Sequence, residues 1–385
     1  VFEMLRLETF HPSELTDADI VAWRRLCASR PEFSSPLMGP DFARAVGAVR
    51  PDARVAIWRE GADPVGFLAY HHRPGGMARP IGAPLCDYHA LVADRPLDIR
   101  QDLAEFGLSA FRFTSLIDPY GDFTDAVASQ APAYVIQLDG SAPDYLERIR
   151  AASAKRFKNY RRLEGKLDRE VGPLSLRAPD FDRAAFDQLL AWKRQQLDRT
   201  GAHDFLAPQW TRDLLASFLD MREGPFQGLM INLYCGDRLL AGHIGVRVGE
   251  VYHPWIASTD PAMGQWSPGQ IFLLRAIAAM PGLGLRTYDL GPGHDHYKRP
   301  YALVTRTVGE GTMAAAGPRG RNTVAAERAW TLAGAHGPGP VGRLRRRLDI
   351  IATSELSLRG RARGLAGAIA ARALRPGAAS GAEAL

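Results

Sequence analysis

Two stretches of this chain carry the same succession of hydrophobic patterns. In the first, helical spacing over residues 13–28, and again from Pro40 to Val46 with proline in the first turn, precedes two strand-like runs at 54–59 and 64–71. A polar turn at 60–63 separates those runs. In the second, helical spacing over 180–200 and 208–221 precedes runs at 228–234 and 239–246, joined through Cys235, Gly236, Asp237 and Arg238. A further run at 250–256 adds a third strand, in which Pro254 cannot donate to a ladder and so predicts a break or bulge. Helix, helix, hairpin thus occurs twice, which predicts two copies of one fold.

After the second copy, Ser267, Pro268, Gly269, Gln270 and Ile271 open an apolar helix over 272–277, and a strand ending near Tyr288 and Asp289 follows. Backbone N–H groups at such a helix start can hold an anion. Pro268 removes a donor that the helix does not need, and Gly269 permits close approach. The loop behind the strand, Gly291 to Arg299, gathers His294, Asp295, His296, Tyr297 and Lys298, where α/β enzymes keep reactive groups. A plain capped helix and a surface loop would carry the same letters.

Composition narrows the class. At 385 residues, with 46% hydrophobic and 23% charged, the chain is long enough for two domains and a tail. No apolar run reaches the roughly 18 residues that a membrane span needs. The first thirty residues hold five acidic groups and no apolar core, so no secretory leader is expected, and the cytoplasm is the expected compartment. Three cysteines without a C-x-x-C pair predict neither a disulfide framework nor a cysteine-built zinc site, and the i, i+2 pair His294 and His296 lacks a third clustered ligand, so no metal is expected.

Charge is unevenly placed. Residues 317–385 hold twelve Arg against four acidic residues, a net of +8, which leaves residues 1–316 at −2 of the chain's +6. That neutral body predicts no DNA partner. The basic end, rich in Ala, Gly, Arg and Pro, reads as a mobile tail, a partner helix or a peripheral contact with anionic lipid. A second basic run at 155–166 reads as a solvated connecting helix or as a cationic wall beside an anionic ligand.

With the segments in this order, the chain resembles the acetyltransferase family associated with bacterial cellulose and exopolysaccharide synthesis. That family is a branch of the GNAT superfamily related to the Fem-type peptidoglycan aminoacyl transferases. The residues that carry the resemblance are Ser267, Pro268, Gly269 and Gln270 before the apolar helix, then Tyr288, Asp289, Leu290, Gly291, Pro292 and Gly293 followed by Tyr297, Lys298 and Arg299. Pro84, Leu85, Cys86, Asp87 and Tyr88, and the basic run from Lys155 to Leu163, support it. It covers residues 10–315.

The resemblance implies an α/β (α+β) fold of tandem GNAT-like (acyl-CoA N-acyltransferase) domains, each a mixed, mostly antiparallel sheet flanked by helices. The expected divisions are a first domain over 1–138, a basic connecting helical segment over 139–172, an acyltransferase domain over 173–316, and a tail over 317–385, partly helical or disordered. It also implies acyl-CoA, as acetyl-CoA, for the donor, and a sugar, polysaccharide precursor or small metabolite for the acceptor of its amine or hydroxyl transfer. The loop at 265–269 has less glycine and less positive charge than the pyrophosphate loop of ordinary GNAT enzymes. Fem-type relatives use aminoacyl-tRNA, which keeps tRNA as an alternative donor. A non-catalytic accessory protein of a polysaccharide-synthesis complex is the third alternative.

Acyl transfer from a thioester needs an anion cradle, a polarised carbonyl and a route for protons. Ser267, Pro268, Gly269, Gln270 and Ile271 are the expected cofactor residues. Asp289, Lys298, Tyr297 and His243 are the catalytic candidates, His243 and His253 being also readable as hydrogen-bonded interior histidines. Asp87, Tyr88, Lys193 and His294 are the candidates for acceptor binding.

Overall fold

The computed structural model describes residues 5–293, 295–337 and 339–373, with the side chains of 295, 296 and 367–373 outside that description. Of the expected site residues, His294 lies outside the described residues. The described residues form two compact units, one of residues 5–132, 207–214 and 307–373, the other of 133–206 and 215–306.

The chain opens with β1 (Arg6–Phe10), α1 (Asp17–Ser29), α2 (Pro40–Val49), β2 (Ala53–Glu60), β3 (Asp63–Arg73), β4 (Met77–Pro80), β5 (Val92–Ala93), α3 (Ile99–Glu105) and β6 (Ala110–Leu116). Next come β7 (Val127–Gln137), α4 (Ala142–Ala152), α5 (Ala154–Glu170), β8 (Leu174–Arg177), α6 (Arg183–Thr200), α7 (Gln209–Asp220), β9 (Phe226–Cys235), β10 (Arg238–Val248) and β11 (Val251–Thr259). Finally come α8 (Pro268–Ala279), β12 (Thr287–Pro292), α9 (Asp295–Lys298), β13 (Val304–Ala314), α10 (Pro318–Leu332), α11 (Pro340–Ser354) and α12 (Leu358–Ala373).

The first unit orders its strands β1-β2-β3-β4-β6-β13, with β5 beside β3, and the second β8-β9-β10-β11-β12-β7. Each is antiparallel except for one parallel pair, β4 with β6 and β11 with β12. The repeated helix, helix, hairpin order therefore does correspond to a repeated sheet, and the mixed, mostly antiparallel architecture flanked by helices is the expected one.

Local chemistry explains the elements. Thr16 and Asp19 form a reciprocal capping box at the start of α1, each satisfying an N–H that the helix cannot. The β9–β10 hairpin turns at Gly236, whose φ of +56° suits a residue without Cβ. The first unit's core gathers Trp58, Leu68, Phe111, Phe113 and Phe123, and the second's gathers Tyr145, Ile231, Tyr252, Phe272 and Tyr288.

The basic end is folded where it is described. Pro318–Leu332, Pro340–Ser354 and Leu358–Ala373 are helices, the helical one of the alternatives expected for this end. The physical reason is tertiary. Arg73 donates to the carbonyls of Ala352 and Glu355, Arg50 to that of Thr353, and the Trp210 indole to that of Ser354 at 2.9 Å. These are carbonyls that the last turn of α11 leaves without helical partners, at the negative end of its dipole. Asp52 holds both arginines in place, at 2.8 and 2.6 Å.

Candidate active site

The second unit's one parallel pair is short. β11 pairs with β12 only at Val251↔Thr287 and Tyr252↔Tyr288, and both strands bend immediately beyond. On β11 the register against β10 passes from Ile244↔Ile256 to Gly245↔Pro254, which makes Trp255 an extra residue, a bulge next to the predicted proline break. On β12 the register against β7 passes from Asp289↔Val135 to Gly291↔Tyr134, which makes Leu290 extra. From His253 onward, β11 thus has a backbone edge that β12 does not fill among the described residues.

Helix α8 connects these strands and begins beside that gap. Its N-cap, Ser267, sits at φ +51°, ψ +51°, a left-handed conformation uncommon outside glycine, and its side chain makes no capping bond. A Cβ on Gly269 would lie 3.1 Å from Thr259 Cγ2, at the end of β11, and 3.9 Å from the Tyr297 hydroxyl. The end of β11, the first turn of α8 and the ring of Tyr297 therefore converge. Tyr297 stands on α9, just past β12, and burial, with the Tyr160 phenol adding to it, pushes its hydroxyl above the usual tyrosine range. It is a neutral proton donor at physiological pH.

The other expected residues divide by task. Gln270 and Ile271 N–H groups turn back on the Ser267 carbonyl at 3.0 and 3.3 Å, and the Gln270 side chain accepts from the Tyr301 hydroxyl at 2.5 Å. Pro268 is buried at the first turn. Of the five residues expected to cradle a cofactor, Gly269 is the one that faces the convergence by close approach. Asp289 is fully buried, accepts the Gly291 N–H at 3.0 Å, and lies 3.6 Å from Arg306 and 3.9 Å from His253. Lys298 donates to the Gly291 and Pro292 carbonyls at 3.4 and 2.6 Å. Asp289 and Lys298 thus hold the same β12 bend, one through an N–H and the other through carbonyls.

His243 lies on β10 with its Nδ1 2.6 Å from the Tyr288 hydroxyl and its ring 4.5 Å from that of Phe272. Burial lowers its pKa to about 3, with the charges of Lys298 and Lys193 adding to the effect, so the imidazole is neutral. Asp87 and Tyr88 belong to the other unit, where Tyr88 is fully buried and its carbonyl accepts from Cys86 Sγ at 2.7 Å.

Sequence reasoning did not single out Thr259 or Arg306. Thr259 closes β11 against Gly269, and Arg306 is the cation beside Asp289. Neither carries a local motif, since one ends a strand and the other starts one among Thr305 and Thr307. Among the described residues, no group of three or more His, Cys, Asp or Glu is placed to hold a metal, and no helix is long and apolar enough to cross a membrane.

Residues 154–299, which include this opening, match the profile of a family described as Acetyltransferase (GNAT) domain. Comparison with curated proteins finds no match. Among solved structures, the chain is similar to the C-terminal domain of a putative lysylphosphatidylglycerol synthetase from Agrobacterium fabrum, at 10% identity over 82% of this chain and 95% of that one, with a TM-score of 0.49. It is also similar to FemX, at 11% identity over 79% and 96%, TM-score 0.49. A tandem GNAT protein from the clavulanic acid biosynthesis pathway shares 12% identity over 82% and 99%, TM-score 0.46.

Proposed function

We propose that the second unit is an acyltransferase that moves an acyl group, acetyl in the first instance, from acyl-CoA to an amine or hydroxyl. The observation that carries this reading is the gap between β11 and β12 with the start of α8 at its mouth, inside the segment that matches a GNAT acetyltransferase domain. The fit to acyl-CoA is physical. A strand edge without a partner can pair with the amides of an extended arm, and a helix start with glycine in its first turn can approach a diphosphate. A side chain at Gly269 would fill that approach.

In this reading the acceptor nitrogen or oxygen attacks the thioester carbonyl, the new bond to carbon forms, and the carbon–sulfur bond breaks. Tyr297 passes its proton to the leaving thiolate, and the proton that the acceptor nitrogen or oxygen gives up restores the phenol, so the products are the acylated acceptor, the free thiol and neutral Tyr297. Asp289, Arg306 and Lys298 position the β12 bend that carries Tyr297 to the gap. The acceptor class, a sugar or polysaccharide precursor handled in the cytoplasm alongside cellulose or exopolysaccharide synthesis, rests on the resemblance of the 267–270 and 288–299 motifs.

One observation favours a second donor, aminoacyl-tRNA. Helix α5 buries Phe157, Leu163 and Leu167 and exposes Lys155, Arg156, Lys158, Arg161 and Arg162, a cationic face of the kind that contacts phosphates. Tight tRNA binding that weakens steeply with salt, without any response to acetyl-CoA, would move the reading to that donor.

Thiol release from acetyl-CoA in the presence of amino sugars tests the main reading. Tyr297→Phe is expected to lower turnover about 100-fold with KM little changed, since it removes a proton and no binding contact. Equal turnover in the variant overturns the role of Tyr297.

A further inference from the structure

The first unit holds a separate cavity of about 360 Å³ between its sheet and the helices at the basic end. Charged residues from four elements meet there: Arg79 on β4, Arg112 on β6, Arg319 and Glu327 on α10, and Arg345 and Asp349 on α11. The positions on α10 recur at helical spacing, 319, 322, 323, 326, 327 and 330, so one whole face of that helix lines it.

The arginines are not equally committed. Arg112 is spent on Asp349, Glu310 and Thr312, and Arg345 on both oxygens of Glu327 and on His336. Arg79, by contrast, gives one donor to Asp349 at 2.9 Å, and Arg319 gives one to the Ala104 carbonyl at 3.0 Å. A guanidinium has five N–H donors, so both side chains keep donors that face the cavity rather than a protein acceptor among the described residues. Four arginines against Glu327, Asp349 and Glu310 leave one positive charge in excess. Burial, with Arg112 and Arg345 adding to it, holds the Arg79 pKa below the usual arginine value despite Asp349.

We propose that this cavity binds a small organophosphate, its phosphoryl group on the spare donors of Arg79 and Arg319. A tetrahedral phosphoryl group offers three acceptor oxygens to donors arriving from different elements, where a planar carboxylate offers two. The space exceeds that of a bare phosphate ion, and Met77, Trp330 and Leu348 provide an apolar wall for an organic substituent. The site is independent of the β11–β12 gap and of the acyltransferase reading.

The test is calorimetric titration of the full chain with phenyl phosphate, inorganic phosphate and benzoate. Saturable binding of phenyl phosphate, tighter than either control, is expected, with Arg319→Ala weakening it about tenfold or more as one charged hydrogen bond is lost. Arg319 is exposed, so that variant should fold, and Arg79→Gln should add to the loss. Gly269→Leu should bind phenyl phosphate as the parent does, which separates this cavity from a diphosphate cradle. No saturable binding up to about 10 mM overturns the proposal. So does benzoate binding as tightly, or binding that Arg319→Ala and Arg79→Gln leave unchanged.

Discussion

The two units build one sheet topology and then use its weak point in opposite ways. In each, a parallel pair holds for two residues, Met77↔Ala110 and Ala78↔Phe111 in one, Val251↔Thr287 and Tyr252↔Tyr288 in the other. The next residues along are Arg79 and Arg112 in the first unit, His253 and Asp289 in the second. The two arginines are tied together by a carboxylate from α11, Asp349, at 2.9 Å to Arg79 and 2.6 Å to Arg112. In the second unit the pair is itself a carboxylate and an imidazole, 3.9 Å apart, with Arg306 3.6 Å from Asp289.

The helix following the first strand of each pair shows the same division. In the first unit α3 is seven residues long and starts at Asp98, whose carboxylate accepts the Gln101 N–H at 3.2 Å. An acidic cap there satisfies the helix start internally and disfavours a second anion. In the second unit α8 has twelve residues, Ser267 makes no capping bond, and Gly269 brings the first turn close to Thr259 at the end of β11. A repeated fold therefore places different side chains and different helix starts at the same splay.

The largest effect should come from breaking the first unit's tie. Arg112 is 3% exposed, so Arg112→Ala takes the buried cation from Glu310 and leaves Asp349 to Arg79 alone. A loss of about 3–5 kcal/mol is expected in urea unfolding. A loss under about 1 kcal/mol, the range of a surface pair, would show that α11 is not anchored there.

Acid should separate the units next. His71, His89 and His243 are buried and neutral, with pKa values lowered by burial to about 4, 3 and 3. Unfolding frees each to bind a proton near its ordinary value of 6.5, so stability is fully present above about pH 6.5 and falls as pH drops toward 3. The shift is worth on the order of 3 kcal/mol per histidine. Two of the three lie in the first unit, whose amides should lose hydrogen-exchange protection first as pH falls. His89 has no partner for either ring nitrogen among the described residues. His89→Leu should therefore flatten part of the acid limb without cost at neutral pH.

The smallest effect distinguishes the helix starts. Asp98→Ala should cost about 1 kcal/mol as a lost cap, while Ser267→Ala, which removes no capping bond, should stay within about 0.5 kcal/mol in thermal or urea unfolding. Equal losses would mean that the two helix starts are satisfied alike.

Local rules were enough to read much of this from the chain. Hairpins at 53–73 and 226–248, the proline-led start of α8 and the bulge beside Pro254 each rest on residues a few positions apart. What stayed hidden depends on long separation. Asp349 lies 237 residues from Arg112, and the strands that complete the two sheets, β13 and β7, come from segments with no repeat pattern. The basic end looked like a tail because its burial comes from arginines at 50 and 73 that grip its carbonyls. The motif at 267–271 does open a helix, as its proline-led pattern predicts. That Gln270 would turn to Tyr301, and Asp289 to a backbone N–H, depends on the packed interior.

The central claim is that the gap beside Gly269 receives acyl-CoA. Calorimetric titration of acetyl-CoA into the parent and into Gly269→Leu tests it most directly. The account predicts saturable binding by the parent and at least about tenfold weaker binding by the variant, with urea unfolding of both run alongside to separate lost affinity from lost fold. Failure of the parent to bind, or equal affinity in both, would contradict it.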